Sequence, residues 1–345
     1  MARDITLLWA LRSVCKFTCG YCYFGTIAAH RAQVPTAPGT LSHLRRDDLT
    51  REEIFAFARS LDGSPVARVV IAGGEPLDWP HILDLIATVK AVGCQVVIAT
   101  NGVPLTKPIV ASRLVELGVD AVSVSLDSTD AAANDELRPA LGGYAAHSDV
   151  LCGIRTLIDA RGEAAAPRVG IYSVISRRTL DQIGAMAELA VELGCDYYVP
   201  QPVSLSPDHA LDEELTPYGH EVDRIAAGLT NLHTAGLPLA LPDTHYTRLF
   251  IASITDRTPR RVEDCFGGAQ LFFAQPNGSL WDCPSDLRIA ATPPDRHRSI
   301  KGADARTLFA DRPACTDCAL LGRDCVSMFP LVRSLPQMLH LTEVR

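Results

Sequence analysis

The 345-residue sequence lacks the features that mark several common classes of protein. It has no long run of Lys or Arg and carries a net charge of -8, so it lacks the positive surface that neutralises nucleic-acid phosphates. No stretch reaches the roughly 18 apolar residues of a membrane-spanning helix. The N-terminus lacks the basic start and the small-residue cleavage site of a signal peptide. We therefore expect a cytoplasmic protein that binds neither nucleic acid nor a membrane.

Histidine ligand pairs and internal repeats are also missing. None of the ten histidines pairs with another at helical spacing, and no solenoid period is visible. Cysteine, by contrast, is abundant: there are 11, an odd number, in a chain without an export signal. This usage predicts thiols that stay reduced and serve as metal ligands.

Three cysteines lie close together near the N-terminus. They are spaced Cys15-x3-Cys19-x2-Cys22, with Tyr21 directly before the third. Three adjacent thiolates can hold three irons of a 4Fe-4S cube and leave the fourth iron without a protein ligand. A zinc site usually takes a fourth ligand, and disulfide frameworks belong to short secreted chains, so both remain the weaker alternatives.

Short apolar runs alternate with segments of helical period from Ile5 to Gln201. The predicted strands are Ile5 to Trp9, Arg68 to Ala72, Gln95 to Ala99, Ala121 to Leu126, Arg168 to Val174 and Asp196 to Pro200. This alternation predicts an α/β fold, a partial (β/α)6 barrel over residues 1–215, followed by a smaller domain over residues 216–345. Barrels of this type bind ligands at the carboxyl ends of their strands.

The second predicted strand ends in Gly73-Gly74-Glu75-Pro76. Two glycines let the backbone approach a ligand closely, a carboxylate can accept an ammonium group, and Pro fixes the exit from the turn. The same four residues could also form an ordinary turn between a strand and a helix.

A second group of cysteines lies near the C-terminus, as Cys265-x12-Gly278-x4-Cys283 and Cys315-x2-Cys318-x6-Cys325. Two apolar runs, Leu271 to Gln275 and Ser279 to Cys283, flank Asn277-Gly278, which is a strong hairpin signal. Such a hairpin would bring Cys283 towards Cys265. Four of the five cysteines can saturate one 4Fe-4S cube or hold one structural zinc.

The first triplet and the GGEP turn together resemble the radical S-adenosylmethionine (SAM) superfamily, whose motifs are Cys-x3-Cys-x-aromatic-Cys and GGE. The resemblance implies that Cys15, Cys19 and Cys22 bind a 4Fe-4S cluster whose open iron takes SAM, which then yields a 5′-deoxyadenosyl radical. The implied SAM contacts are Tyr21, Gly73, Gly74, Glu75, Pro76, Thr100, Asn101, Ser123, Ser125, Asp127, Arg138 and Ile171.

Three of these assignments carry a specific chemical expectation. Ser125 and Asp127 resemble the ribose-binding position, Arg138 could pair with the methionine carboxylate, and the strand with Ile171 and Val174 resembles the strand that stacks on adenine. Turn chemistry and a solvated arginine are the alternatives.

The C-terminal cysteines resemble the SPASM/twitch extension found on some members of this superfamily. The first half of that motif is complete, but the last spacing is six, Phe329 stands where a fourth cysteine belongs, and no cysteine follows. The resemblance therefore implies one auxiliary 4Fe-4S cluster, held by Cys265, Cys283, Cys315 and Cys318. Cys325 is left as a spare, either a substitute ligand or a catalytic thiol.

Relatives with this extension that modify peptides usually carry a peptide-binding domain before the first cluster, and the triplet here starts at residue 15. We therefore expect a small, sugar-containing substrate, similar to those of enzymes that dehydrogenate, epimerise or decarboxylate sugars and cyclitols during antibiotic assembly. The preferred expectation is dehydrogenation of a carbinol carbon, with the auxiliary cluster as electron acceptor and a flavodoxin- or ferredoxin-type reductant.

The alternatives to this expectation are decarboxylation, epimerisation, modification of a peptide, and a non-catalytic iron-sulfur or zinc protein. The sequence places no catalytic base among the candidates Tyr23, Gln201, Asp243, His245, Tyr246 and Arg248.

Overall fold

The computed structural model describes residues 3–23, 48–142, 145–206, 208–256, 258, 260–262, 265–310, 312, 318–334 and 337. Six parallel strands lie side by side in sequence order in one sheet. They are β1 (Ile5–Arg12), β2 (Val66–Gly73), β3 (Gln95–Thr100), β4 (Ala121–Ser125), β5 (Arg168–Ile175) and β6 (Tyr197–Pro202). The predicted α/β fold and all six predicted strands are therefore confirmed.

The strands are apolar along almost their whole length because the parallel sheet is covered on both faces. β1 reads ITLLWALR, and seven of its eight residues are buried. Its Trp9 packs edge-on against Phe57 of the first helix, with ring centroids 5.4 Å apart. Neighbouring strands are joined by helices that return the chain to the opposite end of the sheet.

The helices of this region are α1 (Arg51–Ser60), α2 (Ile82–Ala91), α3 (Pro108–Glu116), α4 (Ala131–Leu137), α5 (His147–Arg161), α6 (Ile183–Glu192), α7 (Asp212–Leu215), α8 (His220–Thr234) and α9 (Thr244–Thr255). Helix α1 begins at a capping box in which Thr50 and Glu53 bond each other's backbone amides. No helix in the described ranges is long and apolar enough to cross a lipid bilayer.

The C-terminal part adds shorter elements. They are β7 (Arg260–Val262), β8 (Leu271–Ala274), β9 (Ser279–Trp281), α10 (Asp286–Ala291), β10 (Arg298–Ser299), α11 (Ala305–Leu308), β11 (Cys318–Leu321), α12 (Arg323–Phe329) and a π-helical turn (Pro330–Ser334). Strands β8 and β9 pair antiparallel, which confirms the predicted hairpin.

This hairpin belongs to the same sheet as the barrel strands. Strand β8 pairs parallel with β1, from Thr6 opposite Leu271 to Trp9 opposite Ala274. The sheet therefore has nine strands in the order β10-β9-β8-β1-β2-β3-β4-β5-β6. Residues from both sides of position 215, such as Leu7 and Phe272, share one hydrophobic core. The predicted domain boundary near 215 stays a prediction, but the two regions are packed as neighbours in one sheet.

A second, smaller hydrophobic cluster surrounds the N-terminal cysteine loop. Its buried members are Phe17, Cys19, Tyr21, Leu137, Ala146, Val203 and Leu215. Leu211, which precedes α7, packs directly on Gly20, where an added Cβ would lie 2.4 Å from the leucine Cδ1. The segment after β6 thus covers the cysteine loop with apolar side chains.

Candidate functional site

A cavity of about 250 Å³ opens at the carboxyl ends of the barrel strands. Eleven of the residues predicted from the sequence line it: Cys15, Cys19, Cys22, Tyr21, Gly73, Gly74, Thr100, Asn101, Ser123, Ser125 and Arg138. They come from four different strand ends and from the helix after β4. The fold therefore assembles in one place most of the residues that the motifs indicated.

The cysteine loop follows β1 directly and is anchored at its start. The Ser13 hydroxyl donates to Asp48 at 2.6 Å, and the Phe17 amide donates to the Cys15 Sγ at 3.3 Å. Burial raises the pKa of Cys15 to about 11, although the Phe17 amide opposes this. A thiolate here needs compensating positive charge, which iron would supply, so the loop fits a cysteine-ligated cluster.

The glycine pair after β2 is required by the neighbouring backbone. A Cβ on Gly74 would lie 1.9 Å from the Val14 carbonyl oxygen. Gly73 has φ +121, a conformation that favours glycine. The amides of Gly74 and Glu75 donate to the carbonyls of Arg12 and Val14, each at 2.7 Å. The pair thus holds the cysteine loop against the end of β2 and also lines the cavity.

Glu75 and Pro76 lie behind the cavity and do not line it. The Glu75 carboxylate, 2 % exposed, accepts hydrogen bonds from the Leu77 amide (3.0 Å), the Thr100 hydroxyl (2.8 Å) and the Asn101 amide (2.7 Å). Burial raises its pKa to about 7 against these three bonds. Glu75 therefore ties the end of β2 to the end of β3, and its predicted contact with an ammonium group stays a prediction.

Asp127 does not line the cavity, so the structure does not support the predicted ribose contact at this residue. It is fully buried, and its carboxylate accepts from the Tyr21 hydroxyl, from Arg138 Nη1 at 3.1 Å and from the Val174 amide at 2.7 Å. All of these donors come from elements around the cysteine loop. Asp127 therefore positions Tyr21 and Arg138, while Ser125 is a half-buried polar group at the end of β4 that lines the cavity.

Arg138 follows α4 and reaches the cavity beside Cys19. The guanidinium lowers the pKa of Cys19 against the larger effect of burial, and it lies 5.9 Å from the centre of the Phe17 ring. Asp127 engages one of its terminal nitrogens. The remaining N–H donors suit a carboxylate, which agrees with the predicted contact.

On β5, Ile171 does not line the cavity, and its predicted contact with SAM stays a prediction. Ile171 is fully buried in the main core, because side chains alternate along a strand and the cavity face of β5 carries Tyr172 and Val174. Tyr172 is a site residue that the sequence reasoning missed, although the alternation could have indicated it. Its hydroxyl is buried, makes no hydrogen bond among the described residues, and lies near Ser123, whose effect on the Tyr172 pKa opposes that of burial.

The C-terminal part closes the cavity from the opposite side. Ser327, Met328 and Leu331 line it, and the Gln201 Nε2 at the end of β6 donates to the Ser327 carbonyl at 3.0 Å. Of the weaker candidates, Tyr23 and Gln201 line the cavity, whereas four residues at the start of α9 do not: Asp243, His245, Tyr246 and Arg248. Asp243 instead caps α9.

A second cavity lies next to the first, and Met328 lines both. Cys265, Cys283, Cys318 and Cys325 all line it, and Cys315 lies outside the described residues. Cys325, which the sequence left as a spare, is therefore grouped with three predicted ligands. No disulfide joins two of the described cysteines, and no three His, Cys, Asp or Glu side chains of the described part are grouped as ligands of one metal ion.

The fold and the site define an enzyme-like partial barrel with three cysteines at the mouth of a cavity. A model of the Radical SAM superfamily matches residues 11–190, which is more than half of the chain. The chain belongs to this superfamily, whose members are enzymes that use SAM with a 4Fe-4S cluster.

Two curated relatives and one solved structure illustrate the similarity. The chain is 30% identical to a PqqA peptide cyclase of Streptomyces rochei, over 75% of this chain and 67% of that protein. It is 31% identical to an AdoMet-dependent heme synthase of Methanosarcina barkeri, over 56% of this chain but only 48% of the relative. The structure of Streptococcus suis SuiB bound to S-adenosylmethionine matches the fold with a TM-score of 0.63 at 16% identity, over 90% of this chain and 66% of SuiB.

Proposed function

We propose that this chain removes a hydrogen atom from a carbinol carbon of a small, neutral substrate rich in hydroxyl groups, such as a sugar, a cyclitol or a nucleoside, and oxidises it to a ketone. The observation that carries the proposal is the near absence of charge from the first cavity: its surface is mainly apolar, and its polar groups are almost all uncharged. Among the described residues of this lining, Arg138 is the one with a charged side chain. The other polar side chains among the lining residues carry uncharged hydroxyls or amides: Ser13, Tyr21, Tyr23, Thr100, Asn101, Ser123, Ser125, Tyr172, Gln201, Ser204 and Ser327.

A lining of this kind binds hydroxyl groups better than anionic groups. Serine, tyrosine and glutamine side chains both donate and accept hydrogen bonds, as an alcohol does. A polyphosphate or a polycarboxylate would need several cations to offset the loss of its hydration. The guanidinium of Arg138 is already paired with Asp127, and its remaining N–H donors can bind one further carboxylate.

In the proposed enzyme, Cys15, Cys19 and Cys22 hold the 4Fe-4S cluster. Arg138 binds the carboxylate of SAM, and Thr100, Asn101, Ser123 and Ser125 bind its other polar groups. When bound, the cluster and SAM supply the chemistry that removes a hydrogen atom from an unactivated C–H bond. The chain contributes orientation and excludes water, because the apolar side chains around Tyr21 and Leu215 cover the cysteine loop.

The second cavity completes the proposal. We assign the auxiliary cluster to Cys265, Cys283, Cys318 and Cys325, and Cys315 is the remaining candidate ligand. A fully ligated cluster there would supply a place for the electron that a dehydrogenation releases. A flavodoxin- or ferredoxin-type reductant and a cytoplasmic location belong to the same proposal.

The test is anaerobic reconstitution with iron and sulfide, followed by reduction in the presence of SAM. We expect 5′-deoxyadenosine in the wild type and in Cys152→Ser, which alters an exposed cysteine on α5, and at least a hundredfold less in Cys19→Ser. A panel of neutral sugars, cyclitols and nucleosides, deuterated at their carbinol carbons, then reports the substrate class. Transfer of deuterium to 5′-deoxyadenosine with a product two hydrogens lighter supports dehydrogenation.

The other outcomes of the panel separate the alternatives. If sugar acids are added to the panel, loss of carbon dioxide would indicate decarboxylation, and an isomer in which one hydrogen has replaced the deuterium would indicate epimerisation. If no neutral polyol transfers deuterium although 5′-deoxyadenosine forms, the proposed substrate class is wrong.

Modification of a peptide is the second candidate. The similarity to a PqqA peptide cyclase supports it, because that relative is 30% identical and is matched over two thirds of its length. A lining of neutral hydroxyls and amides can also bind backbone amides. The test uses peptides encoded beside the gene of this chain, deuterated at individual side chains. Transfer of deuterium from such a peptide, and not from the polyols, to 5′-deoxyadenosine would support this second candidate.

A further inference from the structure

One hydrogen bond joins the two cysteine sites. Tyr23 directly follows Cys22 and lines the first cavity, whereas Pro284 directly follows Cys283 and lines the second. The Tyr23 hydroxyl donates to the Pro284 carbonyl oxygen, across a sequence separation of 261 residues. The loop that carries the first site therefore contacts the loop that carries the second.

The contact reaches Cys283 through a single peptide group. The carbonyl of Pro284 and the amide of Ser285 belong to the same peptide unit. That amide, two residues after Cys283, lowers the pKa of the Cys283 thiol, although burial raises the pKa by more. One peptide group therefore accepts the Tyr23 hydroxyl at its carbonyl oxygen and acts on the Cys283 thiol through its amide.

At Cys265, the corresponding peptide shows no such link among the described residues. The Gly267 amide donates to the Cys265 Sγ at 3.4 Å. The carbonyl of that peptide unit, on Phe266, accepts from the amides of residues 269, 270 and 271, all of them local. Of these two thiols, Cys283 is the one that the first loop reaches through a peptide group in the described part of the chain.

Hydrogen bonds in series strengthen one another, because a donor to a carbonyl withdraws charge and makes the N–H of the same peptide more acidic. An N–H bond to a thiolate ligand stabilises negative charge on the sulfur. One-electron reduction of an iron-sulfur cluster adds such charge, so hydrogen bonds to the sulfurs are among the factors that set its reduction potential.

We propose that Tyr23 is a positioning residue through which the first cysteine loop raises the reduction potential at the second cysteine site. The inference rests on the auxiliary cluster of the proposed function. In the direction considered, an electron from the reduced partner enters the cluster, no proton is taken up, and the added charge is shared with the Cys283 sulfur. Tyr23 would thereby make the second site a better acceptor for the electron that the substrate radical releases, together with a proton, when it becomes a ketone.

The experiment is a redox titration of the full, anaerobically reconstituted chain with dithionite, followed by electron paramagnetic resonance. The signal that changes on addition of SAM belongs to the first cluster, and the signal that does not belongs to the second. We expect Tyr23→Phe to make reduction of the second cluster threefold to tenfold less favourable, where tenfold corresponds to about 59 mV for one electron.

Tyr21→Phe is the matched control, because it removes a hydroxyl from the same loop that bonds Asp127 instead of Pro284. We expect the midpoint of the second cluster to stay unchanged in this variant. A Tyr23→Phe variant with normal iron content and an unchanged second midpoint overturns the inference, and so does an equal shift in Tyr21→Phe.

Replacement of Tyr23 by 3-fluorotyrosine covers the case in which Tyr23→Phe fails to load iron. Fluorine makes the hydroxyl a stronger donor at nearly the same shape, so the second midpoint should rise, and no change overturns the inference. Two other results test the proposed function independently of this inference. A wild type without a SAM-independent cluster signal refutes the auxiliary cluster, whereas 5′-deoxyadenosine formation tests the first site alone.

Discussion

The site has no space for a side chain at Gly74. The backbone of the cysteine loop occupies the place where a Cβ would stand, 1.9 Å from the Val14 carbonyl oxygen. Backbone atoms that are hydrogen-bonded on both sides cannot move aside as the end of a flexible side chain can. This residue therefore couples the end of β2 to the position of Cys15.

Gly74→Ala should lower the free energy of unfolding of the metal-free chain by about 1–3 kcal/mol, the usual range for overpacking a tight site. Urea denaturation followed by circular dichroism measures the change. The matched control is Gly184→Ala in α6, where an added Cβ meets nothing within 4 Å. That variant should be unchanged or more stable by about 0.5–1 kcal/mol. Equal stabilities for Gly74→Ala and the wild type would contradict the tight contact.

Glu75 gives the fold a pH dependence of unusual sign for a carboxyl group. Its pKa is about 7 in the folded chain against an ordinary 4.5, so the folded state holds the proton more tightly than the unfolded state. The protonated Glu75 therefore contributes to the free energy of unfolding below pH 4.5, and this contribution is lost as the pH rises to about 7. The difference between the two pKa values corresponds to about 3 kcal/mol of unfolding free energy.

Glu75→Gln should remove this part of the pH dependence, since glutamine does not titrate. The unfolding free energies of the wild type and the variant, measured in urea between pH 4.5 and 8, should therefore shift relative to each other in favour of the variant as the pH rises. A difference that stays constant over this range would show that Glu75 ionises at its ordinary pH.

At the same scale, sequence reasoning found the chemistry of the site better than its geometry. The cysteine triplet and the GGEP turn follow fixed spacings, so their residues could be named from the chain alone. Tyr172 was not named beside Ile171 because the alternation of side chains defines the two faces of a strand without saying which face meets the cavity. The role of Asp127 depends on Tyr21 and Val174, which are distant in sequence, and no local pattern indicates such partners.

The segment between β6 and α7 acts as one element that covers the cysteine loop. Leu211 contacts Gly20, and Val203 and Leu215 belong to the apolar cluster around Tyr21. Apolar cover keeps water and oxidants away from a buried site. We therefore expect the size of these apolar side chains to affect how fast a bound cluster is lost.

Leu211→Ala should increase the rate of iron removal from the reconstituted first cluster several-fold, because it opens a gap above the loop. Absorbance of the iron complex formed with a chelator measures the rate. Ile109→Ala changes a side chain that is 67 % exposed on α3 and should leave the rate unchanged. Identical rates for Leu211→Ala and the wild type would show that this segment is not the barrier.

Elements were predicted well wherever their signal is local. Six buried β-branched runs and the Asn277-Gly278 hairpin each carry their own pattern, and all of them form. The pairing of β8 with β1 joins residues about 265 positions apart, and nothing within either strand specifies that neighbour. Such pairings arise from the shape of the whole fold.

The whole molecule depends on that pairing for the edge of its barrel. A chain that ends at residue 215 would leave one edge of β1 without a hydrogen-bonded neighbour and would expose the core face that Phe272 and Phe273 cover. Unpaired, apolar strand edges associate with other chains. We expect this fragment to aggregate, as measured by size-exclusion chromatography, and to become soluble when it is co-expressed with residues 216–345. A monodisperse, folded fragment would instead support an independent domain with its boundary at 215.

Because β8 lies far along the chain, β1 is synthesised long before the strand that pairs with it. A ribosome adds roughly 5–20 residues each second, so Thr6 emerges some 10–50 s before its neighbour Leu271 has been made. During this interval the nascent chain must keep the first strand from pairing elsewhere. A holdase chaperone that binds exposed apolar segments would have its greatest effect on yield within this period, and slower translation would prolong the need for it.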